Sequence, residues 1–105
     1  MTYCVGMLLD TGLVFLSDSR TSAGVDHIST FRKTTVFQLP RDRVIVLQTA
    51  GNLAITQSVI NLLREHIEHE DGRPTLLTVS SLFEAAQCVG DAIRLVHKRD
   101  ADTSR

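Results

Sequence analysis

The sequence predicts an α+β fold, with helices layered on antiparallel sheet, and three observations carry that expectation. Short apolar runs come in two pairs, each pair divided by turn residues. The hydrophobic period lengthens after residue 54, and every strand-like segment precedes every helix-like one. That segregated order belongs to α+β domains rather than to the alternation of a parallel sheet. With 105 residues, 43% hydrophobic and 22% charged, the chain suits one folded domain with a single core.

Taken in order, Tyr3 to Leu9 (YCVGMLL) and Leu13 to Ser17 (LVFLS) read as two strands joined at Asp10-Thr11-Gly12. They show little polar alternation, so both faces are expected to be covered. Asp18 to Thr30 reads as a polar loop around Gly24. A second hairpin follows, Thr34 to Leu39 (TTVFQL) and Arg43 to Thr49 (RVIVLQT), turning at Pro40-Arg41-Asp42. Helical spacing of Ile55, Val59, Leu62, Leu63 and Ile67 predicts a helix from Ala54 that stops at Asp71-Gly72-Arg73-Pro74. Ser81 and Glu84 form the signature of a capping box opening a second helix. Its expected apolar face is Leu82, Ala85, Ala86, Val89, Ile93 and Val96, and Lys98 and Arg99 suit its carboxyl end. Residues 100 to 105 (DADTSR) carry no pattern and read as a disordered tail. Two helices arriving together tend to cover one face of the strands, which leaves the other to a further subunit or to the rest of a domain.

A formal net charge of -1 leaves no electrostatic footprint for nucleic acid or an anionic membrane. No run of eighteen apolar residues and no cleavable leader pattern is visible, which points to a cytoplasmic protein with no membrane partner. Cys4 and Cys88 are far apart and read as reduced core thiols rather than a disulfide framework.

Four positions suggest chemistry. Removal of Met1 would leave Thr2 with a nucleophilic hydroxyl and a free α-amine on adjacent carbons, and an amine with a reference pKa near ~8 is well matched to accept the hydroxyl proton. Lys33, in STFRKTTVF, could bring an ammonium beside the first strand, favouring the neutral amine and the alkoxide. Asp18, in LSDSR, could hold that ammonium. Gly51, in TAGNLA, stands at a strand-to-helix junction where a backbone amide can donate to a developing oxyanion. Singly, each has a plainer explanation: a solvated terminus, a loop charge, a turn acid and a turn glycine.

Together they are specific. MTYCVGMLLDTGLVFLSDSRTSAGVDHISTFRKTTVF, followed by TAGNLA, resembles the amino-terminal half of proteasome β-type subunits, most closely the bacterial proteasome-related Anbu (ancestral β-subunit) peptidases, over Thr2 to roughly Val96. The resemblance implies Thr2 as nucleophile, with Asp18, Lys33 and Gly51 in the matching places. It implies an N-terminal-nucleophile hydrolase fold, an αββα sandwich, here incomplete and limited to two hairpins followed by two helices. It implies hydrolysis of peptides or unfolded proteins through an acyl-enzyme and homo-oligomeric assembly; no cofactor or metal is expected, and whether an unfoldase partner supplies substrate stays open. Family chains are longer and contribute a Ser and an Asp that arrange the Thr amine, so residues 1 to 105 are expected to be a single partial domain, truncated on its C-terminal side.

Two other readings compete. His66 and His69, three apart on a helix beside Glu65 and Glu68, share a face and could bind zinc, although a third ligand has no candidate. Alternatively the chain is a non-catalytic, truncated proteasome-like module that assembles without cleaving; intact Thr2, Asp18 and Lys33 favour the enzyme.

Overall fold

A computed structural model describes residues 3–22, 28–30, 32–69 and 71–103. The order is β1 (Cys4–Leu9), β2 (Gly12–Ser17), β3 (Arg20–Ser22), β4 (Ile28–Thr30), β5 (Thr34–Leu39), β6 (Arg43–Gln48), α1 (Leu53–Glu68) and α2 (Leu82–Thr103). Both expected hairpins form, β1 against β2 in the register Val5 opposite Leu16, and β5 against β6 in the register Phe37 opposite Ile45. Two helices follow, giving a partial α+β fold.

One pair went unforeseen. Within the segment read as a loop, Arg20 to Ser22 pairs antiparallel with Ile28 to Thr30, Thr21 lying opposite Ser29. Three-residue strands of RTS and IST carry too few apolar residues to show a period of two.

The β5–β6 hairpin has two different faces. Thr35 and Phe37 are buried, and their register partners Leu47 and Ile45 are half-buried against the core. The opposite face carries Val36 and Val44, 54% and 60% exposed, and the directly opposed pair Thr34 and Gln48. Alternation thus turns one face to the helices and frees the other. The core joins Phe37 to Val59, Ile60, Leu62 and Leu63 of α1, to Ala85, Ala92 and Val96 of α2, and to Leu76 and Val79 of the connection between the helices. Leu76 is only 1% exposed, and the Arg43 guanidinium fixes its turn by donating to the Leu76 and Val79 carbonyls.

α1 begins one residue before the expected start because Asn52 caps it, its side-chain oxygen accepting from the Ile55 amide at 3.1 Å. Asn52→Ala should cost about 1 kcal/mol of stability, read as a lowered denaturant midpoint with an unchanged slope. A midpoint equal to that of the parent would show that the cap is dispensable. At α2, the Glu84 amide donates to Ser81 Oγ at 3.1 Å as expected. The Glu84 carboxylate reaches one residue further back than the box predicts, accepting from the Ser80 amide at 2.9 Å and the Ser80 hydroxyl at 3.0 Å.

The apolar face of α2 is narrower than its sequence suggests. Ala85, Ala92 and Val96 are buried and Val89 is half-buried, whereas Leu82 (83% exposed), Ala86 and Ile93 face outward. The helix continues through Asp100 and Ala101 to Thr103, across most of the segment read as an unpatterned tail. The larger departure is β1–β2: all of β1 is exposed, including Val5, Met7, Leu8 and Leu9, and so are Leu13, Phe15 and Leu16 of β2. Their apolar runs anticipate cover on both faces, and nothing among the described residues supplies it. Cys4 is likewise exposed rather than a core thiol. Among the described residues no helix is long and apolar enough to cross a membrane.

Candidate functional site

The site grows from the open end of the first hairpin. The ladder of β1 and β2 extends one step beyond Cys4 and Ser17, because the Asp18 amide donates to the Tyr3 carbonyl at 3.1 Å. The reciprocal donor, the Tyr3 amide, turns instead to the Asp18 side chain and donates to Oδ1 at 2.9 Å. That substitution of side chain for backbone brings the carboxylate to the start of the strand.

Lys33 arrives from the start of β5. Its own backbone continues the second ladder, the Lys33 carbonyl accepting from the Thr49 amide at 2.9 Å. Its ammonium lies 3.1 Å from both oxygens of Asp18. Lys33 is 6% exposed while the Asp18 side chain is 31% exposed, so the cation is the more deeply held partner. A buried ammonium needs such a counter-charge, since desolvation without one is costly. The Tyr3 amide first, and then the Lys33 ammonium, hold the Asp18 carboxyl below the ordinary carboxylate value. It is therefore an anion at neutral pH.

Gly51 enters through the chain rather than by direct contact. Thr49 is tied to Lys33 by its amide and, at 3.4 Å, by its hydroxyl, and its carbonyl accepts from the Cys4 thiol at 3.6 Å. Two residues on, Gly51 adopts φ 99°, and Asn52 then caps α1. A Cβ at Gly51 would meet nothing within 4 Å, so the conformation and not crowding requires glycine.

Of the four residues singled out in the sequence, Asp18 and Lys33 are in direct contact, Gly51 follows a segment bonded to Lys33, and Thr2 lies outside the described residues. Sequence reasoning missed Tyr3, whose amide shares Oδ1 of Asp18 with the ammonium. It also missed Ser17 and Thr34, whose hydroxyls are 2.7 Å apart, and Gln48, whose side chain reaches Thr34 at 3.4 Å. The available signal was adjacency: Ser17 immediately precedes Asp18, and Thr34 immediately follows Lys33.

Elsewhere, an open groove of about 1030 Å³ runs between Leu39, the end of α1, the connection after Gly72 and α2, and none of Asp18, Lys33 or Gly51 lines it. His66 lies on that groove with its Nε2 against the Arg73 guanidinium, and burial, then Arg73, pushes its pKa down. His69 ends α1 as its C-cap. Among the described residues no group of three or more His, Cys, Asp or Glu is arranged to hold a metal ion.

No protein-family model matches the chain, and no curated protein does. Solved structures do. An Anbu mutant from Hyphomicrobium sp. strain MC1 is similar with a TM-score of 0.88 and 44% identity, over 96% of this chain and 44% of its own. Anbu (ancestral beta-subunit) from Yersinia bercovieri matches at a TM-score of 0.85 and 50% identity, over 96% of this chain and 42% of its own. The helical assembly of the Anbu complex from Pseudomonas aeruginosa gives 0.84 and 51%, over 95% and 40%. The chain thus spans less than half the length of each. With that identity sustained along nearly all of its own residues, the chain belongs to the Anbu (ancestral β-subunit) family of proteasome-related proteins.

Proposed function

We propose that the chain supplies the nucleophile-bearing part of a threonine-type peptidase subunit that works in a homo-oligomer. The observation that carries this reading is the shared oxygen of Asp18, which accepts both the Lys33 ammonium and the Tyr3 amide. The Tyr3 nitrogen is bonded to the carbonyl carbon of Thr2, so the carboxylate ties the cation to the chain next to the nucleophile.

In this mechanism Met1 is removed first, freeing the Thr2 amine. The amine takes the hydroxyl proton as Thr2 Oγ attacks the peptide carbonyl carbon, and Lys33 stabilises the oxygen anion. The Gly51 amide donates to the oxyanion of the tetrahedral intermediate. The amine then returns its proton to the departing peptide amine, leaving an ester on Thr2 that water hydrolyses. The oligomer is motivated by the exposed apolar strands of β1–β2 and by the helical assembly of the Pseudomonas aeruginosa relative.

The test combines intact mass and active-site labelling of the full-length protein. A mass lower by one methionine, with an electrophilic peptide probe attached to Thr2 and no attachment in Thr2→Ala, is the expected result. The small side chain after Met1 is of the kind that methionine-removing enzymes accept. Protein whose amino-terminal sequence still begins at Met1 would defeat the catalytic reading.

A further inference from the structure

We infer that Gln48 is a positioning residue that sets the first hairpin on the second and thereby fixes the Asp18–Lys33 contact; the catalytic consequence rests on the peptidase reading above. Gln48 is the last residue of β6 and stands directly opposite Thr34, the first residue of β5. Its side chain leaves the face of β5–β6 that does not pack on the helices. There Nε2 donates to the Leu16 carbonyl at 2.9 Å and lies 3.3 Å from the Val5 carbonyl. Val5 and Leu16 are opposed across β1 and β2, so a single carboxamide grips both strands of the other hairpin. Both partners are carbonyl oxygens, which only accept, so the amide must present its nitrogen to them. A third acceptor, Thr34 Oγ1 at 3.4 Å, joins the grip to the Ser17–Thr34 hydroxyl pair.

The location gives this clamp its consequence. Thr34 adjoins Lys33, Leu16 lies two residues before Asp18, and Val5 lies two residues after Tyr3. Tyr3, Asp18 and Lys33 are therefore each within two residues of an atom that Gln48 contacts. Apolar packing does not substitute for it, because Val5, Leu16, Val36 and Val44 are each about half exposed or more, from 46% to 60%. Two ribbons with so little shared burial depend on directed polar contacts for their mutual orientation. A site that needs its groups within about 0.5 Å is sensitive to such an orientation.

The experiment uses the full-length protein carrying Gln48→Met, which keeps the side chain's length and removes the donor, and Gln48→Glu, which faces two carbonyls with an anion. Two readouts are taken: the rate of Thr2 labelling by the electrophilic peptide probe, and hydrogen exchange of the peptide from the amino terminus to Leu8 against the peptide spanning α1. Labelling should slow at least about tenfold and the amino-terminal peptide should exchange about tenfold faster in both variants, with α1 unchanged. Parental labelling and exchange in Gln48→Met would overturn the inference. Loss of protection that spreads equally into α1 would also overturn it, since Gln48 would then be supporting the fold as a whole. If Thr2 is unlabelled even in the parent, the peptidase reading falls, and the exchange comparison still decides whether Gln48 is the clamp.

Discussion

Lys33→Ala in the full-length protein is expected to slow threonine-dependent peptide hydrolysis by at least about a thousandfold while leaving assembly intact. The ammonium is buried and lies 3.1 Å from both oxygens of Asp18, so alanine removes the cation and the counter-charge of that carboxylate together. On the peptidase reading proposed above, its loss would deprive the neutral amine and the alkoxide of Thr2 of a stabilising positive charge. Lys33→Met separates charge from volume: it fills most of the same space and should be equally inactive. Asp18→Asn should be milder, because an amide oxygen can still accept from the Tyr3 amide, at 2.9 Å in the parent, while the ammonium loses its counter-charge. Labelling of Thr2 at the parental rate in Lys33→Ala would refute the role given to the lysine.

The sequence made the long elements legible because each carries a repeated signal. Apolar pairs broken by Asp10-Thr11-Gly12 and by Pro40-Arg41-Asp42 mark both hairpins, and Ile55, Val59, Leu62, Leu63 and Ile67 mark α1. The β3–β4 pair has three residues a side and no such repetition. On α2, Leu82 and Ile93 fit the periodicity yet stand outside the core, since one hairpin and one helix cannot cover a wide stripe on a helix of 22 residues. The exposure of β1 has a related reason: apolar composition records that a strand suits being covered, not which neighbour covers it. At the site, Asp18 and Lys33 are legible through motifs flanking the strands. Gln48 is not, because a glutamine at a strand end carries no motif, and its importance comes from a tertiary meeting with Val5 and Leu16.

The 105-residue chain, expressed on its own, is expected to self-associate and to show no detectable peptidase activity. Leu8 and Leu82 are 84% and 83% exposed, Phe83 72%, Tyr3 63% and Leu13 62%, and Val36 and Val44 add the open face of the second hairpin. Patches of this kind drive association in water. The strands are also arranged as three separate pairs, so every one of the six described strands has an edge whose amides and carbonyls can pair with another chain. An isolated two-stranded ribbon is marginal in water, and β1–β2 contributes no residue to the buried core. Tyr3 and Asp18 sit at the open end of that ribbon, so fluctuation there separates the Asp18 carboxylate from the Tyr3 amide before it disturbs α1 or α2. On the proposed peptidase reading, hydrolysis would depend on holding Thr2, Lys33 and the Gly51 amide in one geometry, and alignment of that kind supplies many powers of ten in rate. Light scattering on residues 2 to 105 should report a broad distribution of large species, and fluorogenic peptides should remain uncleaved. A monodisperse monomer that cleaves them, and stops doing so on Thr2→Ala, would show that β1–β2 needs no cover to hold the site.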